Sequence, residues 1–303
     1  MSAADPSVRH PNNEPGKIPT SEDVRAIGEI IRDTRNLSPE QVAQILEYQR
    51  TNGVKFGEAA IALNYATTDD VLHALAQQFN YAVGGEERQR TSPELVALNQ
   101  PFSRQAEVLR AIRAQITLRT QPDAQAGVTT RKALAVVSPN TGDGKTFFCA
   151  NLAIALSQAG GRTLVVDADM RGPRLHEVFG IESKVGLSTL LAGRRGESVI
   201  KVVKGVPNLF VMPVGVSPPN PMELVEGPAF GLLLMELLTK FDHVIVDTPA
   251  AEYGADSAVV AARCGTALII ARNDSSRVND LQDLVETLSA TTVKLLGVIM
   301  NEF

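Results

Sequence analysis

The run Ala133-Leu134-Ala135-Val136-Val137 passes at once into Ser138-Pro139-Asn140-Thr141-Gly142-Asp143-Gly144-Lys145-Thr146 and then into Phe147-Phe148-Cys149-Ala150-Asn151-Leu152-Ala153. It reads as a strand, a loop and a helix, and few folds accommodate that order. The glycines let backbone N–H groups turn inward around phosphate oxygens, and the helix N-terminus adds partial positive charge. Lys145 is then placed to neutralise the β and γ phosphates, and Thr146 to offer an oxygen to Mg²⁺. Pro139 stands where the usual pattern has its first glycine, so the local alternative is a tight strand-to-helix turn that binds nothing.

Two further hydrophobic runs deliver carboxylates. Leu164-Val165-Val166-Asp167-Ala168-Asp169-Met170-Arg171 carries two, and Phe241-Asp242-His243-Val244-Ile245-Val246-Asp247-Thr248-Pro249 ends its apolar stretch in Asp247. Folds of the α/β class bind ligands at the carboxyl edge of the sheet, and Mg²⁺ takes hard oxygen ligands. Each Asp alone could simply cap the turn after it; two such strand ends beside the strand that carries the phosphate loop point together to a magnesium–nucleotide site. Short β-branched runs recur at Leu134 to Val137, Thr163 to Val166, Leu209 to Met212, His243 to Val246, Ala267 to Ile270 and Leu296 to Met300, alternating with helical patterns. That alternation predicts an α/β P-loop NTPase fold with a mainly parallel sheet flanked by helices.

The chain upstream has a different character. Residues 1–21 hold Pro6, Pro11, Pro15 and Pro19 among polar residues, a composition expected to stay disordered. Residues 22–83 repeat at an offset of 29, pairing Gly28 with Gly57, Glu29 with Glu58, Val42 with Val71, Leu46 with Leu75 and Gln49 with Gln78. Such an internal duplication predicts a small N-terminal α-helical domain. Each copy has a helix opened by a hydroxyl cap and an acid, Ser38-Pro39-Glu40 and Thr67-Thr68-Asp69. Val42, Ile45 and Leu46, with Val71, Ala74 and Leu75, are expected to bury one face of each copy. Residues 84–103, with Gly84-Gly85, Pro93 and Pro101, read as a linker, and 104–303 as the nucleotide-binding domain, opening on a helix from Gln105 to Leu118.

With 303 residues and 44% hydrophobic content, two globular domains are expected. A net charge of -5 gives no electrostatic reason to bind nucleic acid or anionic lipid. Cys149 and Cys264 have no zinc or CxxC spacing and read as reduced cytosolic residues, with core packing the plainest role for Cys149. The start MSAADPSVRHPNNEPGK is no signal peptide, and no uninterrupted apolar run of roughly 18 residues is present, so direct membrane insertion is not expected. The histidines at 10, 73, 176 and 243 share no ligand spacing.

The set SPNTGDGKT, LVVDADMRGPRLHEVFG, PVGVSPPNPMELVEGPAF and FDHVIVDTPAA resembles the cytoplasmic domain of bacterial tyrosine kinases, especially EpsG-type autokinases of exopolysaccharide clusters, over residues 104–303. The resemblance implies an ATP-dependent protein tyrosine kinase that regulates exopolysaccharide chain length and export with a cognate inner-membrane chain-length protein. The chain would be cytoplasmic and peripheral at the inner membrane through that partner. It further implies that Thr141, Gly142, Asp143, Gly144, Lys145, Thr146, Phe147 and Asn301 contact ATP, and that Thr146, Asp167 and Asp247 hold Mg²⁺, Asp247 through water. Lys145, Asp167 and Asp169 would be catalytic, while Arg171 either acts on phosphate or ties the loop by a salt bridge. Glu107, Arg110 and Arg113 match an ExxRxxR segment that pairs subunits; a solvated helix face is the other reading. The MinD and ParA ATPases are similar in class but carry a second lysine where this chain has Asn140, which leaves a regulatory ATPase, or a nucleotide-binding scaffold without turnover, as alternatives. Such kinases end in a tyrosine-rich tail, whereas this chain has only Tyr48, Tyr65, Tyr81 and Tyr253. The duplicated region resembles the MshEN domain, which implies possible cyclic di-GMP binding; a plain helical docking module is the alternative.

Overall fold

The computed structural model describes residues 27–67, 70, 71, 74, 92–120, 131–194 and 198–302. The expected tail at 1–21, the repeat positions Leu75 and Gln78, and Gly84-Gly85 lie outside these residues. The chain divides into two compact units, Met1–Phe79 and Asn80–Phe303.

In the first unit, helices α1 (Ile27–Arg35), α2 (Pro39–Asn52) and α3 (Phe56–Ala62) surround a small core of Ile30, Ile31, Ile45, Ala59, Ala60 and Ala74. Ser38 caps α2 reciprocally: its Oγ accepts the Gln41 amide at 3.3 Å while Gln41 Oε1 accepts the Ser38 amide at 2.8 Å. The second copy repeats the device at the same spacing: Asp70 accepts the Thr67 amide at 2.6 Å and donates its own amide to Thr67 Oγ1 at 3.2 Å, while Thr68 and Asp69 lie outside the described residues. Burial alone would raise the Asp70 carboxyl, but Arg35 Nε at 2.7 Å and Thr67 outweigh it and hold the group down at about 2. That ion pair ties one copy to the other. A methyl group added at Gly57 would meet a Val71 methyl at 2.6 Å, so glycine here permits close approach of two helical segments. Leu46 does not join the buried stripe; it is 41% exposed, and Ile45 carries the inward face of α2.

The second unit is built on a seven-stranded sheet in the order β3-β4-β2-β5-β1-β6-β7. The strands are β1 (Ala133–Val137), β2 (Thr163–Asp167), β3 (Lys201–Val202), β4 (Leu209–Met212), β5 (His243–Asp247), β6 (Gly265–Arg272) and β7 (Lys294–Asn301). All pair in parallel except β3, which runs antiparallel to β4. Side chains alternate across the sheet. Leu134, Val136, Val165, Ile245 and Leu268 face one layer with α4 (Arg104–Thr120) and α5 (Lys145–Gln158). Ala135, Val137, Val166, Val246 and Ile269 face the other, with α6 (Pro228–Lys240), α7 (Asp256–Cys264) and α8 (Val278–Ser289). Strands buried on both faces must be apolar throughout, which is why these runs lack polar alternation.

Residues 92–103, expected to be linker, belong to this unit's packed body. Leu95, Val96, Ala97 and Leu98 are buried, with a short helix at Val96–Asn99. The fully buried Asn151 on α5 clasps it: Oδ1 accepts the Ala97 amide and Nδ2 donates to the Glu94 carbonyl, each at 2.9 Å. Pro93 and Pro101 bracket a packed turn.

Candidate nucleotide and phosphoryl-transfer site

The loop from Ser138 to Gly144 leaves the carboxyl end of β1 and feeds the N-terminus of α5, with glycine supplying the two left-handed turns. Gly142 has φ +84° and Gly144 φ +101°, values that L side chains avoid. At Gly144 a Cβ would also lie 2.3 Å from Asn301 Nδ2. The buried Asp143 carboxylate is turned into the fold: Oδ2 accepts the Asn140 amide and Oδ1 the Ser276 hydroxyl, both at 2.8 Å. Its side chain thus sets the loop's shape and is not turned out towards a ligand. Asn301, at the end of β7, donates to the Asp143 carbonyl at 2.9 Å.

Lys145 is nearly buried, and its Nζ donates to Ser138 Oγ at 2.7 Å, leaving further N–H groups for an anion. Thr146 Oγ1 donates to Asp247 Oδ2 at 2.7 Å. Asp167 and Asp247 are register partners on the adjacent strands β2 and β5, so the two carboxyls, both fully buried, end side by side. Asp167 accepts the amides of Asp169, Arg174 and Leu175 at 3.1–3.3 Å. Burial, then the charges of Asp247 and Asp169, push its carboxyl well above the ordinary range. Burial likewise raises Asp247, to about 6, against the lowering effects of the Thr146 hydrogen bond and Lys145. Cys149 Sγ lies 3.6 Å from Asp247 Oδ1, and burial followed by that charge pushes its thiol up, which fits a packing residue.

Asp169 Oδ1 accepts the amides of Arg171 and Gly172 at 3.2 and 2.9 Å, shaping the turn after β2. Arg171 forks onto the buried Asp256 with contacts of 3.0–3.3 Å. Of its two expected roles, this is the salt bridge that ties the loop. Arg110 pairs with Glu107 at 2.6 Å and reaches the Pro101 carbonyl, while Arg113 donates to the Ala155 carbonyl at 3.0 Å. Both arginines therefore anchor α4 within the chain.

A cleft of about 540 Å³ opens beside the loop, lined among others by Gly144, Phe147, Ile112, Ile270, Met300 and Asn301. Its mostly apolar walls, with the Gln105 and Asn301 amides among them, suit a flat heterocycle such as a nucleobase. Thr141 is exposed, and its amide donates to Glu252 Oε1 at 2.6 Å. Glu252, Asp256 and Ser276 were not anticipated, since they reach the site from segments with no local motif, and Ser138, though inside the loop motif, was given no role of its own. No group of three or more His, Cys, Asp and Glu forms a ready metal cage among the described residues. The donor set nonetheless fits Mg²⁺ bound with a nucleotide, because that ion keeps waters and phosphate oxygens and takes one or two protein oxygens.

The CobQ/CobB/MinD/ParA nucleotide binding domain family matches residues 134–303. Among curated proteins, the putative tyrosine-protein kinase EpsB of Ralstonia solanacearum is 34% identical over 68% of this chain and 27% of its own length. The tyrosine-protein kinase CpsD of Streptococcus agalactiae is 31% identical over 56% of this chain and 75% of its own. The kinase domain of the Escherichia coli tyrosine kinase ETK superposes with a TM-score of 0.65 at 29% identity, covering 71% of this chain and 81% of that domain. The chain thus spans about a quarter of EpsB and most of CpsD. The chain belongs to the CobQ/CobB/MinD/ParA nucleotide-binding family and, within it, to the bacterial tyrosine-protein kinases.

Proposed function

We propose that this chain is an MgATP-dependent protein tyrosine kinase that regulates exopolysaccharide chain length and export with an inner-membrane partner. The observation that carries the catalytic part is the pairing of Asp167 with Asp247 at adjacent strand ends, next to Lys145 and Thr146. Phosphoryl transfer rests on positioning and charge neutralisation, so one ammonium, one metal-binding hydroxyl and a carboxylate beside the acceptor are a sufficient set. Lys145 binds the terminal phosphates, and the amides of Gly142 to Thr146 fold around them. Thr146 and Asp247, hydrogen-bonded to each other beside the loop, are the residues that would hold Mg²⁺, which would supply charge neutralisation to the phosphates. Asp167 accepts the hydrogen bond of the acceptor phenol, and its raised pKa suits it to take a proton from a group that ordinarily loses one only near pH 10. Phe147 and Asn301 hold the base in the cleft beside them.

Two finer points belong to the same reading. Self-association proceeds through the outer face of α4, where the Glu107 side chain is 72% exposed. The duplicated unit serves as a docking module towards the membrane partner, and calorimetry with cyclic di-GMP separates this from a dinucleotide receptor. Among the described residues no helix is long and apolar enough to cross a membrane.

The test is transfer of label from ATP to tyrosine in a Glu–Tyr copolymer. Lys145→Ala, which removes a charged hydrogen-bond donor, is expected to weaken nucleotide binding by about 10- to 100-fold, and Asp167→Asn to abolish transfer while binding persists. Labelling unchanged in both variants would sink the assignment.

A further inference from the structure

We propose that Tyr253 is the residue on which this chain becomes phosphorylated, with a second copy of the chain as the donor enzyme. The proposal rests on the kinase reading above and goes further, naming the acceptor. Tyr253 is the only tyrosine between residues 104 and 303. It is 50% exposed, and its hydroxyl makes no hydrogen bond to the described residues. The other described tyrosines are less available: Tyr48 and Tyr65 are half-buried in the first unit's core, and Tyr65 is bonded to Gln44.

Position favours Tyr253 as well. It closes the single 3₁₀ turn Ala251–Tyr253, six residues after Asp247. That turn is clamped to the phosphate loop: Ala251 and Glu252 donate their amides to the Ser138 and Pro139 carbonyls at 2.9 and 3.0 Å, and Glu252 Oε1 accepts the Thr141 amide at 2.6 Å. The phenol is therefore held on a rigid rim of the site rather than on a free loop. The same turn argues for transfer between copies. With three residues per 3₁₀ turn, neighbouring side chains diverge by roughly 120°; Glu252 reaches its own loop, so Tyr253 is aimed elsewhere. In the transfer, the Tyr253 oxygen forms a bond to the γ-phosphorus of a nucleoside triphosphate held by the second copy, the bond to the β-phosphate oxygen breaks, and the nucleoside diphosphate leaves. The phenolic proton passes to the second copy's Asp167.

The experiment mixes two variants of the 303-residue chain with MgATP and locates phosphate by mass spectrometry. Tyr253→Phe serves as enzyme and Lys145→Ala as acceptor, with Glu–Tyr copolymer added in parallel. The expected result is phosphotyrosine on Tyr253 of the Lys145→Ala chain, at least tenfold reduced when the Tyr253→Phe chain is left out. Wild-type chain alone should approach one phosphate per chain, Tyr253→Phe alone should show at least a tenfold loss, and copolymer labelling by Tyr253→Phe should stay within twofold of wild type. Phosphate on Tyr48, Tyr65 or Tyr81 without Tyr253, or an unlabelled chain beside a labelled copolymer, overturns the proposal and leaves the kinase reading standing. Label on neither chain nor copolymer overturns both. Wild-type labelling of Tyr253 with no transfer in the mixture overturns the between-copies step.

Discussion

Asp247 shows how folding and function pull against each other at one residue. Burial holds its carboxyl at about 6, above the ordinary value of 3.8. A carboxyl raised on folding favours the native state when protonated; that contribution is fully present below about pH 4 and is lost as pH rises through about 6. Asp247→Asn, which carries no charge to bury, should therefore melt about 3 °C above wild type at pH 7.5, with the gain gone at pH 4 in parallel thermal scans. The same variant should lose magnesium-dependent nucleotide binding, measured by calorimetry at pH 7.5. Equal melting temperatures at both pH values would contradict the assignment of strain to this group. The carboxylates were legible in the sequence because each ends an apolar run. Glu252 and Ser276 were not, because they reach Thr141 and Asp143 from 111 and 133 positions away.

At the scale of elements, α5 does more than begin at the phosphate loop. Its residue Asn151 bonds to Ala97, Glu94 and Phe147 and so fastens the segment before α4 onto the domain. Asn151→Ala strands buried partners on that segment and should cost about 3 kcal/mol. In urea unfolding this reads as a lower midpoint at unchanged slope; an unaltered midpoint would contradict the clasp. Nothing in Pro93 to Pro101 announces it, since the prolines and polar residues of a packed turn look like those of a linker. Strands β1, β2, β4, β5 and β6 were readable because burial on both faces demands continuous apolar runs, whereas β7, at the sheet edge with only Leu296 buried, was readable from its apolar composition. Strand β3 was not, since Lys201–Val202 is two residues long and lies at the sheet edge with neither residue buried.

Across the whole molecule, two separate cores imply two unfolding events, because the small cluster around Ile30, Ile31 and Ile45 and the layers on the seven-stranded sheet each bury their own apolar surface. Calorimetry of the full chain should show two transitions. MgADP at a hundred times its Kd should stabilise only the one belonging to residues 80–303, by about 2.7 kcal/mol; equal shifts in both would contradict a nucleotide site confined to that unit. The central claim concerns what the site does with a bound triphosphate, because the same phosphate loop and paired carboxylates can serve a kinase or a hydrolase. Asn140 stands where the resemblance to the MinD and ParA ATPases would place their second lysine, and Asp167, paired with Asp247 at adjacent strand ends, is the carboxyl proposed to receive the phenolic proton. The most direct measurement follows both products of γ-labelled ATP in one reaction with the Glu–Tyr copolymer. The account predicts that phosphotyrosine forms and that its formation disappears in Asp167→Asn; free inorganic phosphate as the sole product, at the same rate with or without copolymer, would contradict it.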